Sequence, residues 1–364
     1  MLRPALALLV SACLAVACGG PEPREGTPER ASSPADPAAI WSFAKEAAGL
    51  RARSCPDGVS FARASGFEMT ASPVELAPPA LLADRLSGLE YAGGWHLTSE
   101  WNGFGGLSGL AVMRSGSLLA VSDQGDFVWI AMEDGAPAGS GNHAPMLDET
   151  GAEITGKRRQ DGEGLALREG LALVSFEREH RILAFDLEGC GANARGARLV
   201  DVAERPSGMD RRMEPNGGLE GLALSPEGHL VAAAETPDAG VPLGAVTGGG
   251  AGAAQLALDR RLAAQAPLRA TGLDYLGEDL LTVHRHYDRQ SGNTIKLTRT
   301  PIGRGFAPEA GETLARLDTE LTVDNFEAVA ATQHGDGAAR IYLLSDDNFN
   351  NSQRTLLLAF DLIE

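Results

Sequence analysis

From about Val59 to its end the chain is a succession of short apolar runs broken by Gly, Asp, Pro and Asn, the punctuation of β-strands joined by tight turns. One stretch differs: residues 38–50, Ala-Ala-Ile-Trp-Ser-Phe-Ala-Lys-Glu-Ala-Ala-Gly-Leu, carry an amphipathic helical pattern that Gly49 should end. Residues 18–38 are proline-rich and polar without apolar periodicity, which predicts a flexible tether. The 45 glycines against 5% aromatic residues support many turns and short strands, so the fold class expected is all-β.

The apolar runs repeat. Gly106-Leu-Ser108-Gly-Leu-Ala-Val, Gly162-Glu163-Gly-Leu-Ala-Leu, Leu219-Glu220-Gly-Leu-Ala-Leu, Ala270-Thr271-Gly-Leu-Asp-Tyr and Phe326-Glu327-Ala-Val-Ala-Ala align on one anchor residue, at spacings of 51 to 57 residues. Each anchor is followed by a turn and a second apolar run, ending at Asp123, Glu177, Glu235, His284 and Asp346. A unit of this size holds about four strands, the dimension of a β-propeller blade. Five anchors predict five blades, with a sixth, degenerate blade open in residues 55–86 or 236–270. The last copy is short, and residues 87–107 would complete it by pairing N- and C-terminal strands. The expected organisation is a leader over 1–17, the tether, an N-terminal segment with one helix over 39–85, and a propeller over 86–364.

In a propeller, equivalent positions of successive blades ring one channel mouth. One ring would hold Ser108, Glu163, Glu220, Thr271 and Glu327, and a neighbouring one Asp123, Glu177, Glu235, His284 and Asp346. Carboxylates gathered so closely raise one another's pKa unless cations offset them. Either a hard divalent ion, Ca²⁺ before Mg²⁺ in an all-protein site, or interleaved basic side chains would serve. Lys157, Arg178, Arg285 and Arg354 lie beside the repeated motifs. The alternative use of such acids is structural, as acceptors locking blades together. There is no G-x-S-x-G elbow, H-E-x-x-H or Walker loop, Ser108 lacks the elbow spacing, and the His284-x-His286 pair has no third zinc ligand nearby. A net charge of −18 with no long Lys/Arg run argues against nucleic acid as a partner.

Phe104-Gly-Gly-Leu-Ser-Gly-Leu, Val121-Ser-Asp-Gln-Gly, Asp161-Gly-Glu-Gly-Leu, Ser175-Phe-Glu-Arg, Asn216-Gly-Gly-Leu-Glu-Gly-Leu, Asp324-Asn-Phe-Glu-Ala-Val and Ser345-Asp-Asp-Asn-Phe-Asn-Asn-Ser-Gln-Arg-Thr together resemble the phytase-like family, "esterase-like activity of phytase", over residues 86–364. The resemblance implies a propeller with phosphoester-directed hydrolytic activity. By carry-over Glu163, Glu177, Glu220 and Glu327 are the acid/base candidates. Arg178, Arg285, Arg354, Lys157 and His284 would bind substrate, and Asp123, Glu235, Asp346 and Asp347 would be metal or orienting ligands. His284, standing where other copies have an acid, breaks the symmetry of such a ring. The first expectation is a monomeric hydrolase of small anionic esters, using a general base with Arg or Ca²⁺ stabilisation and no organic cofactor. The rivals are a non-catalytic propeller binding a ligand or protein partner and a metal-dependent sugar-lactonase-like propeller.

The N-terminus carries Arg3 and an apolar run from Ala5 to Ala17, too short for a stable span but suited to a signal peptide. Leu14-Ala-Val-Ala-Cys18-Gly-Gly resembles a lipobox, with Ala15-Val16-Ala17 as a competing ordinary cleavage site. The Cys beside a small residue and the tether after it favour lipidation at Cys18, hence an exported envelope protein whose only membrane contact is the lipid anchor; plain cleavage would make it secreted. Cys55 and Cys190 would then be the remaining cysteines, in a compartment that permits their pairing. Mass spectrometry of the native N-terminus should find diacylglyceryl-Cys18 as the first residue; a free Cys18 thiol rules the anchor out.

Overall fold

Each sequence repeat becomes one antiparallel sheet in the computed structural model, which describes residues 40–236, 240–250, 253–264, 266–303, 306–333 and 338–363. The leader, the tether and Cys18 lie outside the described residues. Blade 1 runs outward from Leu107–Val112 through Leu118–Ser122, Asp126–Glu133 and Ala136–Pro145. Blade 2 consists of Gly162–Arg168, Leu171–Phe176, Arg181–Asp186 and Ala197–Asp201. Blade 3 has Gly221–Leu224, Leu230–Ala233, Val241–Thr247 and Gln255–Leu262. Blade 4 has Arg269–Leu276, Asp279–Asp288 and Gly292–Gly303, the last flanked by Glu312–Leu317 and Ala307–Pro308. Blade 5 has Phe326–Gln333, Ala339–Ser345 and Thr355–Leu362, completed by the early strand Leu89–Thr98. The fold is thus an all-β propeller of five blades, and the pairing of Leu89–Thr98 with Thr355–Leu362 closes it as the short last copy predicts.

The core lies between blades, which explains why second strands read as unbroken apolar runs. Every residue of Leu118–Ser122 and of Leu171–Phe176 is buried, since both faces of the sheet are covered. Alternate side chains serve opposite neighbours: Leu118 and Ala120 join a cluster with Leu344 and Leu357 of blade 5, whereas Leu119 and Val121 join Ala172 and Val174 of blade 2.

At the axis the spacing leaves no room for side chains. A Cβ on Gly109 would lie 2.4 Å from the Glu163 carbonyl oxygen, on Gly164 2.8 Å from Leu222 Cβ, on Gly221 2.4 Å from Leu273 Cγ, and on Gly272 2.5 Å from the Glu327 carbonyl oxygen. The glycine after each anchor therefore lets one inner strand rest on the next; the fifth copy has Ala328. What remains is an axial cavity of about 10 Å³ lined by Ser108, Glu220 and the inner-strand backbones, room for about one water.

No sixth blade exists among the described residues. The stretch 236–270 supplies the outer strands of blade 3, and 55–86 supplies edge strands, Ser65–Glu68 on blade 1 and Thr70–Pro73 on blade 5. The N-terminal segment is stitched around the propeller: Ile40 bridges Thr247 of blade 3, the Phe43–Ser54 helix packs Leu50 into a cluster of blades 2 and 3, and Leu86 bridges Ala315 of blade 4. Cys55 is bonded to Cys190, their Cα atoms 5.6 Å apart. The helix runs past Gly49 because burial of Leu50 and a hydrogen bond from the Asp186 amide to Ser54 Oγ (2.8 Å) outweigh the glycine's weak helix propensity. A second short helix, Pro79–Leu82, also falls in this segment. Among the described residues no helix is long and apolar enough to cross a membrane.

The crowding at the axis is testable. Gly272→Ala should cost about 1–3 kcal/mol in urea denaturation through overpacking. Gly66→Ala on an edge strand, where the nearest contact would be 3.7 Å away, should change stability by less than about 0.5 kcal/mol. Equal midpoints for the two variants would refute the packing argument.

Candidate functional site

All five anchors sit where an inner strand begins. In blades 1, 2, 4 and 5 the ladder slips there, between Leu107 and Gly109, Gly162 and Leu165, Ala270 and Gly272, and Phe326 and Ala328. The anchor belongs to a β-bulge, a device that re-aims a side chain at the end of a ladder. Glu220 directly precedes its strand Gly221–Leu224. Glu163 and Glu220 are 7% and 8% exposed, and Ser108 and Thr271 are also buried.

The register corrects the second ring. Gly109 lies opposite Val121, Gly221 opposite Ala233, Gly272 opposite Val283 and Ala328 opposite Leu344. Two residues beyond these partners come Asp123, Glu235, Arg285 and Asp346, with Glu177 the matching residue of blade 2. The blade 4 member is therefore Arg285, not His284. One residue of slip turns a side chain to the other face: His284 is 2% exposed, its Nε2 3.1 Å from Thr298 Oγ1, and burial lowers its pKa to about 4. It is a neutral core group and offers no charge to an anion.

Around these rings the charges interlock. Lys157 Nζ lies 2.7 Å from Asp123 Oδ2 and 2.6 Å from Asp161 Oδ1, and Arg178 Nε donates to Asp161 Oδ2 at 2.5 Å. Glu327 Oε1 accepts from Arg285 Nη2 and Asn325 Nδ2, each at 2.9 Å, and Arg269 stands 3.6 Å from Glu235. Asp161, Arg269 and Asn325 escaped the sequence reading, yet all three occupy one repeat position, two residues before an anchor, where blades 1 and 3 have Gly106 and Gly218. Aligning the copies one turn further upstream would have found them.

Other predicted residues bond to neighbouring backbone and side chains, Asp346 of the second ring among them. Arg354 bonds Asp324 (3.3 Å) and the Val323 carbonyl (3.2 Å). Asp347 accepts from the Gly106 and Phe349 amides and from Thr355 Oγ1, each at 3.0 Å, and Asp346 accepts from the Asn348 amide at 2.6 Å. Hence Asp123, Glu235, Asp346 and Asp347 do not form one ligand set: the first two face cations and the last two cap a turn. The group that does converge, among the described residues, is Asp161, Glu163 and Glu177, whose carboxylate oxygens lie within 4.8 Å of one another. Three buried hard-oxygen donors suit a divalent cation, which would compete with Lys157 and Arg178 for Asp161.

Burial dominates the titration of the cluster. It pushes Glu163 and Glu220 well above the carboxylate range, and the neighbouring carboxylates, including Glu327 in both cases, add to the effect. Asp346 is likewise raised well above its ordinary value by burial and then by Glu327. Glu177 reaches about 8 through burial and the nearby Asp161, against the pull of Arg178. Burial also raises Glu235 and Asp123, though Arg285 and Arg269 oppose it at the first and Lys157 at the second. Burial pulls Lys157 down, but its hydrogen bonds to Asp123 and Asp161 outweigh this and hold its pKa above the usual value. Glu163, Glu220, Glu177 and Asp346 thus hold protons near neutrality beside fixed cations, an arrangement able to donate a proton, accept one and bind an anion within one mouth.

The family described as "Phytase-like: Esterase-like activity of phytase" matches residues 102–349. No curated protein matches the chain. Among solved structures, the chain is similar to the PQQ-bound aldose sugar dehydrogenase of Streptomyces coelicolor, with 14% identity over 75% of this chain and 97% of that one and a TM-score of 0.42. It is also similar to the glutaminyl cyclase of Myxococcus xanthus, with 13% identity over 76% and 97% and a TM-score of 0.42.

The raised carboxyls set the pH dependence of stability. Above the ordinary carboxylate range the unfolded chain has released protons that folded Glu163, Glu220, Glu177 and Asp346 retain, so stability falls as pH rises. Thermal unfolding should show a lower Tm at pH 8 than at pH 5.5, and Glu163→Gln should flatten that slope. An identical slope in the variant would mean that the cluster does not govern it.

Proposed function

The chain belongs to the phytase-like family, "esterase-like activity of phytase", and from that membership we propose that it hydrolyses small phosphate esters or related anionic esters at the carboxylate mouth of the propeller. The observation that carries the reading is the alternation of proton-holding acids with cations. A dianionic ester would be repelled by a ring of ionised carboxylates. Protonated Glu163, Glu220 and Glu177 remove much of that repulsion, and Lys157, Arg178 and Arg285 supply positive charge for the non-bridging oxygens.

The roles divide by environment. Glu220, deep and protonated, is the proton donor for the departing alcohol oxygen; the O–H bond breaks as the ester oxygen takes the proton. Glu327, oriented by Arg285 and Asn325, is the carboxylate that positions and deprotonates the attacking water. On displacing their protons, a divalent cation would be held by Glu163 and Glu177 with Asp161, Ca²⁺ by the preference of hard oxygen donors. Such an ion would supply Lewis-acid polarisation of the phosphoryl oxygen. In this reading Asp346, Asp347 and Arg354 keep the turn beside the mouth in place. The activity belongs at the cell envelope if Cys18 anchors the protein there.

A panel of phosphomonoesters and phosphodiesters, with and without Ca²⁺, tests the assignment on wild type, Glu163→Gln and Glu220→Gln. Loss of the proton donor in Glu220→Gln should lower kcat/KM by about 100-fold or more. Turnover unchanged in both variants removes the ring from catalysis, and binding without turnover in wild type favours the non-catalytic propeller.

A further inference from the structure

The turn that Asp346 and Asp347 cap presents an aromatic ring that the mechanism above does not use. Phe349 is one of four exposed large hydrophobic side chains among the described residues, at 39% exposure. Its backbone and that of Asn348 both lie in the left-handed region, φ 49° and 50°, which bulky residues avoid. Two carboxylates hold them there: Asp346 Oδ1 accepts the Asn348 amide at 2.6 Å, and Asp347 Oδ1 accepts the Phe349 amide at 3.0 Å. Asp347 Oδ1 also accepts the Gly106 amide at 3.0 Å, tying the turn to the start of blade 1. Left-handed strain in a non-glycine pair persists only where surrounding contacts over-determine it.

The position of the ring is set by a glycine. Two residues before the anchor, blades 2, 4 and 5 have Asp161, Arg269 and Asn325, whereas blade 1 has Gly106. A Cβ at Gly106 would lie 2.5 Å from Phe349 Cε2 and 2.3 Å from Asp123 Oδ1. The aromatic edge therefore rests on Gly106, beside Asp123 of the second ring, where blades 2, 4 and 5 place a polar or charged side chain. Exposed aromatic faces at a polar mouth bind flat apolar surfaces, and such contacts contribute beyond the area they bury.

We infer that Phe349 is a specificity wall of the mouth, and that the preferred ligands are anionic esters whose alcohol part is a ring with a flat apolar face. The anionic head meets Lys157, Arg178 and Arg285 while the ring stacks on Phe349. This rests on the anionic-ester reading, and binding of non-hydrolysable probes separates the two. Phenylphosphonate and methylphosphonate, titrated calorimetrically with Ca²⁺ present into wild type, Phe349→Ala and Phe349→Leu, share a head group and differ in the ring. Wild type should bind phenylphosphonate about tenfold more tightly than methylphosphonate, the scale of one stacking contact. Phe349→Ala should bring that ratio near one, and Phe349→Leu, which keeps bulk without an aromatic face, should recover only part of it. Equal affinities in wild type, or a ratio that survives in Phe349→Ala, overturns the wall and leaves the anionic-ester reading standing. Failure of both phosphonates to bind wild type overturns both.

Discussion

Five inner strands share one axis so closely that backbone touches neighbouring blade, and this contact governs the rest of the molecule. Glycine follows the anchor in four blades because a methyl there would meet a carbonyl oxygen or a leucine of the next inner strand. The same crowding brings anchors from separate blades into electrostatic contact, so that Glu163 and Glu220 each interact with Glu327 although more than a hundred residues separate Glu163 from it. Burial of those carboxyls follows from close packing, and proton retention follows from burial. A wider wheel would leave a wet channel and ordinary acids.

Such an axis stays closed only while its outer strands hold the blades together. The propeller has two restraints. Blade 5 joins Leu89–Thr98 to Thr355–Leu362, so the ring cannot open there without breaking a strand pair. Outside it, the segment from Ile40 to Leu86 meets blades 3, 2, 1, 5 and 4, with the Cys55–Cys190 bond fastening it at blade 2. The segment that looks peripheral in sequence works as a girdle, and its edge strands also cover Ala136–Pro145 and Leu89–Thr98, which would otherwise present unpaired backbone.

The five repeated blades, the closure and the anchor ring were legible in the sequence because each rests on a repeated local pattern, whereas the choice between five blades and six was not. The details that were not legible depend on contacts between copies. His284 and Arg285 are neighbours in one strand, and the pairing of Gly272 with Val283 puts Arg285 at the ring position. The helix overran Gly49 for a similar reason, since Leu50 and Ser54 are held by blades 2 and 3. Asp161 was visible as a letter in the Asp161-Gly-Glu motif, but its importance comes from Lys157 and Arg178 converging on it, which a linear reading does not show. The edge strands at Ser65–Glu68 and Thr70–Pro73 are short and largely exposed, so they lack the apolar signature that marks the inner strands.

The departures from five-fold symmetry give the site its direction. Identical acids in every blade would form a mouth with no preferred orientation for an ester. Instead Ser108 and Thr271 are uncharged anchors, and they separate the adjacent pair Glu163 and Glu220 from Glu327. Arg285 falls in blade 4, between Glu235 of blade 3 and Glu327 of blade 5, and influences both. Lys157 and Arg178 gather on the opposite flank, at Asp161. Positive charge therefore borders the protonated pair on two sides, and the uncharged blade 1 anchor lies toward Gly106 and the ring of Phe349. Under the proposed hydrolysis, an ester would lie with its anionic group between the two cationic flanks and its organic group over blade 1. In that proposal the orientation would set the bond to be broken beside the proton held by Glu220, a direction that a symmetric ring would not supply.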